Sequence, residues 1–276
     1  MIVLDLTLHW ITVAFYAISG IIYTLSFTFK KNYLQSATMI ALLGFITHTA
    51  ALGVRWVSSG HMPYMGRYEI ASSYVWIGML FYLFFLRKKR GLTNVGFLFL
   101  PFNLILLGIG VMSNPQNQEI PASFDTFWLL VHVIFAKLAY GSCLLGTALG
   151  FLYIFKDKMP NWPGLTSVLD RLPSKEVADE YSHKFIGFGF VMIGIMIASG
   201  SIWANYAWGS YWSWDPVEVW SLISWAIYGL YLHFRRIHGW RGSRAAWFSL
   251  FAFLVLIFAL LGVGIIYLSE HAPYIS

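Results

Sequence analysis

The feature that most limits this chain is a series of apolar blocks, each close to the 20 or so residues an α-helix needs to cross a bilayer, separated by short polar breaks. Eight spans follow from these breaks: roughly Thr7–Phe29, Ser36–Val57, Tyr68–Leu86, Asn94–Met112, Phe127–Phe155, Lys184–Tyr206, Val217–Phe234 and Arg244–Leu268. The fifth is longer than one crossing requires and should tilt or project at one end. Composition agrees: 58% of residues are hydrophobic and 11% charged, too few charges to cover a soluble globule. The expected fold is all-α, a polytopic membrane helix bundle of about eight transmembrane helices, forming one membrane-embedded domain over residues 1–276.

The charges orient the bundle. Lys30 and Lys31 follow the first span, Arg87, Lys88, Lys89 and Arg90 the third, Lys156, Lys158, Arg171, Lys175 and Lys184 the fifth, and Arg235, Arg236, Arg241 and Arg244 the seventh. That is 15 of the 18 basic residues. The positive-inside rule puts these four loops in the cytoplasm and both termini on the extracytoplasmic side, which an odd number of spans would spoil. The net charge of +6 is therefore a topology signal, and nucleic acid is excluded as a partner. The first apolar run has no basic leader and no small-residue cleavage site, so it reads as a retained helix rather than a signal peptide. The acids of the 156–183 segment read as a solvated face, with a short surface helix near Ser174–Tyr181 and Ser174 as its N-cap. The one cysteine, Cys143, lies in an apolar run. Thiol chemistry must come from a partner or a substrate.

The unusual chemistry sits on the outer face. The run from Trp208 to Trp220 holds Trp208, Trp212, Trp214, Trp220 and Tyr211, with Gly209 near its start. Interfacial anchoring explains one or two such aromatics per helix end, but not this density. Asp215 and Pro216 read as the N-cap and first residue of the next helix, and Glu218 falls in its first turn, favoured by the helix dipole. An aromatic shelf beside a capped helix suits a large planar ligand; a membrane anchor is the plainer reading.

Histidines bear on that choice, since an ionisable side chain within a membrane span is costly. His132 lies one to two turns inside the outer end of the fifth span, and His271 just beyond the outer end of the eighth. Two imidazoles flanking an aromatic shelf are what bis-histidine ligation of haem iron needs, though a plain transition-metal site or two interfacial histidines fit as well. His233 stands at the inner end of the seventh span, where it can reach the headgroups. His48, near the middle of the second span, needs a polar partner or a ligand. His9, His183 and His238 suggest no role, and His61 is left open.

The segment WGSYWSWDPVEVWSLISW (Trp208–Trp225) closely resembles the tryptophan-rich WWD signature of the cytochrome c assembly family. RWVSSGHMPYMGRYE (Arg55–Glu69) and the LYLHFR ending the seventh span extend the resemblance to the CcsA/ResC type of system II cytochrome c biogenesis. Two departures are Tyr64-Met65-Gly66-Arg67, where that family usually has a serine-asparagine pair, and Glu270-His271-Ala272-Pro273-Tyr274 near the C-terminus.

The resemblance implies that the chain carries haem b, held non-covalently, to the extracytoplasmic face. There it would present haem to apocytochrome c bearing a CxxCH motif, as the haem-handling subunit of a cytochrome c synthase (haem lyase) complex. Residues 208–225 would be the haem-binding loop, with Trp208, Gly209, Trp212, Trp214, Asp215, Pro216, Glu218 and Trp220 forming the cofactor site. His132 and His271 would be the external axial ligands and His233 a ligand for haem in transit, its opposite ligand supplied by the partner. Implied partners are a CcsB/ResB-type membrane subunit, apocytochrome c and thiol-reducing proteins, in a bacterial plasma membrane or a thylakoid membrane. The alternative is haem delivery of the CcmC type, in which haem is handed to a chaperone without attachment, though such chains usually have six spans. Arg55 and Arg67 are candidates for pairing haem propionates; interfacial anchoring or pairing with Glu69 fits equally.

Overall fold

In the computed structural model the described residues are 1–29, 33–86, 95–116, 124–158, 169–170 and 172–267. Among them the chain is all-helical, with no strand. The helices are α1 (Ile2–Thr28), α2 (Leu34–Ser59), α3 (Gly66–Phe81), α4 (Gly96–Val111), α5 (Phe127–Lys158), α6 (Lys175–Trp208), α7 (Pro216–Ile237) and α8 (Ser243–Ile257). A π-helical turn, Tyr82–Leu86, extends α3, and another, Phe258–Gly262, leads from α8 into Val263–Ile266.

Each expected span thus has a helix. Five helical stretches are long and apolar enough to cross a membrane: Ile2–Ser26, Leu34–Ser59, Phe127–Lys158, Lys175–Trp208 and Ser243–Leu260. The apolar stretch of α4, Phe99–Val111, is shorter. α3 and α7 fall below that apolar level because they carry polar residues such as Glu69, Ser72 and Ser73, or Glu218, Ser221 and Ser224.

The structure corrects the expectation for the segment before the sixth span. No separate surface helix precedes the sixth span; α6 runs unbroken for 34 residues from Lys175. Nothing between Tyr181 and Lys184 breaks a helix, and Glu180 pairs with Lys184 one turn on. Ser174 does cap the start, its Oγ accepting from the Val177 amide at 3.3 Å. α5, at 32 residues, is about 48 Å long at the α-helical rise, well beyond one crossing.

The chain divides into two compact units. The first comprises Met1–Gln118 and Phe155–Val177. Here α1 and α2 pack side by side, and a Cβ on Gly44 would lie 2.7 Å from the Tyr16 ring, a closeness only glycine allows. Ser19 donates to the Ala37 carbonyl at 2.7 Å. Tyr82 donates to the Tyr23 hydroxyl at 2.6 Å, and Tyr23 bonds Thr38 at 2.7 Å. α3 and α4 meet where a Cβ on Gly110 would lie 2.9 Å from that of Ala71. In the 155–177 part of this unit Lys156 donates to the carbonyls of Leu169, Leu172 and Pro173 at 2.8, 3.2 and 2.9 Å.

The second unit comprises Glu119–Ile154 and Ala178–Ser276. α5 is its central helix. Gly146 faces α6, where a Cβ would come within 2.8 Å of Ile186, and Gly150 faces α8, where it would come within 2.6 Å of Ser249. Small residues four apart let helix backbones approach closely inside a membrane. Cys143 is buried, and a Cβ on Gly189 would sit 2.5 Å from its sulfur. Asp179, read from sequence as part of a solvated face, instead takes a bidentate bond from Arg235 at 2.7 and 2.9 Å. It also accepts from the Gly242 amide at 3.0 Å, tying α6 to α7 and to the turn before α8.

Candidate functional site

Within the second unit, the end of α6, the 209–215 segment and the start of α7 form one framed structure. Gly209 has φ +79° and its amide bonds the Asn205 carbonyl at 3.0 Å, closing α6 with the left-handed residue that helix ends favour. The segment is pinned by Ser201 Oγ donating to the Tyr211 carbonyl at 2.7 Å and Ser210 Oγ to that of Trp212 at 3.0 Å. At the other end Asp215 and Glu218 make the expected cap. Asp215 Oδ1 accepts from the Val217 amide at 2.8 Å, Glu218 Oε2 accepts from the Asp215 amide at 3.2 Å, and Pro216 starts the helix.

Glu218 does more than cap. The same Oε2 accepts from the Ser213 amide at 2.9 Å, so one carboxylate holds the amides on both sides of Trp214. Trp214 is the only described non-glycine residue with positive φ, at 60°. That conformation is strained for an aromatic residue and persists only where neighbours impose it. Trp214 is 72% exposed, with the Trp212 ring edge-on at 5.9 Å. The acids of the motif therefore spend their oxygens on backbone amides and fix the projection of the ring between them. At the start of α7, Trp220 lies edge-on to Phe258 at 4.6 Å, on the π-turn that follows α8.

His132 reaches this region through α6. Its Nδ1 lies 2.8 Å from the Met196 carbonyl. A carbonyl only accepts, so Nδ1 carries the proton and Nε2 the lone pair a metal ligand needs. The ring lies nearly parallel to Trp203 at 6.3 Å and 26°, and Trp203 meets Trp208 edge-on at 5.1 Å and Phe124 at 5.2 Å. Gly200 makes room: a Cβ there would lie 2.6 Å from His132 Nδ1. Trp203, Phe124 and Gly200 are the residues that sequence reasoning missed. Trp203 was detectable as an aromatic five positions before Trp208; Gly200 was not, because its neighbour is 68 positions away.

His233 is exposed on α7, with the ring of His238 at 5.6 Å. His271 lies outside the described residues. In the first unit, Arg55 is buried and donates to Glu69 Oε1 at 2.7 Å and to the carbonyls of Pro115 and Gln116 at 2.5 and 3.2 Å. Of the readings open for Arg55, pairing with Glu69 is the one realised, since its donors are taken up inside the protein. Arg67 is exposed. His48 has the polar partner its depth requires, Ser72 Oγ at 2.9 Å from Nε2.

A family model described as cytochrome c assembly protein matches residues 64–269, most of the chain. The chain belongs to the cytochrome c assembly family. Among its relatives is a protein titled cytochrome c biogenesis protein CcsA from Guillardia theta, 33% identical over 92% of this chain and 91% of the relative. A second CcsA, from Trieres chinensis, is 30% identical over 97% of this chain and 92% of its own length. A solved structure titled cytochrome c haem lyase CcmF superposes with a TM-score of 0.71 at 17% identity, covering 99% of this chain but 48% of that one. The likeness is one of fold, and this chain spans about half the length of that structure. A CcsA-type chain with several helices of membrane-crossing length is an integral membrane protein of cytochrome c biogenesis, a process that handles haem.

Proposed function

We propose that this chain is the haem-handling subunit of a CcsA-type cytochrome c synthase. It carries haem b to the extracytoplasmic face of a bacterial plasma membrane or a thylakoid membrane and presents it to apocytochrome c. In this reading all eight helices cross, both termini lie outside, and the four basic loops lie in the cytoplasm. A CcsB/ResB-type subunit completes the assembly, and thiol-reducing proteins keep the CxxCH cysteines of the substrate ready to add to the haem vinyl groups.

The observation that carries the proposal is His132. Its tautomer is set by the Met196 carbonyl at 2.8 Å, its ring is backed by Trp203 at 6.3 Å, and Trp203 leads directly to Trp208 at 5.1 Å. A ring oriented in this way is preorganised to offer Nε2 to iron, and the carbonyl bonded to its other nitrogen raises its basicity. Trp208, Trp212, Trp214 and Trp220 supply flat apolar surface for the porphyrin. Gly209, Asp215, Pro216 and Glu218 shape the segment that bears them. His271 is the proposed second external ligand, and His233 the ligand used in transit. Two imidazoles would hold the iron low-spin and unreactive until the histidine of the CxxCH motif displaces one of them.

The test is an absorption spectrum of the detergent-purified chain co-expressed with its partner, beside His132→Ala and His271→Ala. A reduced low-spin b-type spectrum that weakens in the variants and returns with added imidazole is the expected result. A folded, haem-free wild type would overturn the assignment. Delivery without attachment, as in the CcmC type, is distinguished by haem in the preparation but no thioether-linked product on a CxxCH substrate.

A further inference from the structure

The first unit contains a second concentration of chemistry that the haem proposal does not use. Asp5, His9, Tyr16, His48 and Ser72 lie on α1, α2 and α3, and every one is buried. Ser72 Oγ is 2.9 Å from His9 Nε2 and 2.9 Å from His48 Nε2. A serine hydroxyl has one proton to give. It can therefore donate to one imidazole only while accepting from the other.

The outer nitrogens extend this logic at both ends. His9 Nδ1 lies 2.9 Å from Asp5 Oδ1, 3.0 Å from the Asp5 carbonyl and 2.9 Å from the Tyr68 hydroxyl. His48 Nδ1 lies 3.4 Å from the Tyr16 hydroxyl. His9 Nδ1 faces two Asp5 oxygens that only accept, the carboxylate and the carbonyl, so it keeps its proton. With that end fixed, one extra proton on the pair can be held in two arrangements. In one, His9 donates from Nε2 to Ser72, Ser72 donates to His48 Nε2, and His48 Nδ1 donates to Tyr16. In the other, Ser72 donates to His9 Nε2 and His48 donates from Nε2 to Ser72.

Charge gives the network a reason to hold one more proton. Asp5 and Glu69 are two buried carboxylates, and the cation facing both is Arg55, 2.7 Å from Glu69 and 3.5 Å from Asp5. His61 adds an imidazole whose Nδ1 is 3.8 Å from Glu69 Oε2 and whose Nε2 has no hydrogen-bond partner. α4, packed against α1 and α3, bears no titratable residue. With both carboxylates ionised and the histidines neutral, the cluster carries one uncompensated negative charge, which burial makes costly. A proton on His9 or His48 removes it. Moving that proton between the two rings needs only the Ser72 hydroxyl to accept it on one side and release its own on the other, so no charge is left on serine.

We propose that Asp5–His9–Ser72–His48–Tyr16 is a proton relay, holding one mobile proton that passes between His9 and His48 through Ser72. On α1, Asp5 and Tyr16 are separated by about 16 Å of helix at the α-helical rise, roughly half the thickness of a bilayer's hydrocarbon core. The relay links the N-terminal end of α1 to mid-membrane depth and supplies or absorbs a proton there. It stands independently of the haem assignment.

The test uses the full chain in lipid nanodiscs with ¹⁵N-labelled histidine, whose ring shifts report tautomer and charge, assigned with His9→Gln and His48→Gln. The expected result at neutral pH is one proton beyond neutrality shared by His9 and His48, whose signals titrate together. In Ser72→Ala the two rings take separate fixed states and titrate apart, while Ser72→Thr restores the joint behaviour. Asp5→Asn discharges the pair. Wild-type rings that are both neutral, or that titrate separately, would overturn the relay. So would joint titration retained in a folded Ser72→Ala protein, its fold checked by the unchanged shifts of the six remaining histidines.

Discussion

The two units place polarity in a membrane protein in opposite ways. In the first, charged side chains are turned inward and spent on one another: Arg55 on Glu69 at 2.7 Å, and His9 and His48 on Ser72 at 2.9 Å each. In the tryptophan-rich segment of the second, acids are spent on backbone amides, and what they hold outward is aromatic. Glu218 grips the amides of Ser213 and Asp215 at 2.9 and 3.2 Å, and Trp214 between them is largely exposed. A buried charge network resists change because each member leaves another unpaired. A framed aromatic segment leaves ring surface exposed to solvent or lipid.

The sharpest way to break this contrast is Arg55→Ala, which strands two buried carboxylates. Loss of one partner from a buried pair costs about 3–5 kcal/mol, so a large fall in the melting temperature of the detergent-solubilised protein is expected. A melt within a degree or two of wild type would mean the first unit is more hydrated than its geometry implies. Next comes Gly200→Val, which drives atoms into His132. Overpacking costs about 1–3 kcal/mol, and the haem signal should fall further than the stability does, as the titre of bound haem per folded protein would reveal.

Glu218→Ala should be milder still, about 1–2 kcal/mol for a lost cap acceptor. Its signature is local: faster proteolysis between Trp212 and Pro216, with the helices otherwise intact. Trp214→Gly sharpens the same point with the opposite sign. It relieves a left-handed residue and should raise stability by about 1 kcal/mol, while weakening whatever the exposed ring binds. At the bottom of the scale, Lys184→Ala removes an exposed ion pair with Glu180 and should leave the melting temperature unchanged.

Much of this was legible in the residues. The eight helices followed from apolar block length, the Asp215–Pro216–Glu218 cap from local spacing, and the family from Trp208–Trp225 and its companions. The errors came where a local reading met a distant partner. Asp179 looked like a solvated acid until Arg235, 56 positions on, took both its oxygens. His9 seemed to have no role, yet Ser72 and Tyr68 on α3 make it a junction of the first unit's network.

Sequence by itself determined what the bilayer enforces. A backbone in hydrocarbon must satisfy its own hydrogen bonds and basic loops resist translocation, so helix positions, their number and the expected orientation are written in composition along the chain. Only the tertiary structure decided which polar groups meet. His132 acquires its tautomer from Met196, 64 residues away, and its space from Gly200. Arg55 acquires its carboxylate from the next helix. Hydrogen bonds and ion pairs act over about 3 Å, and helix packing alone brings residues so far apart in the chain within that reach.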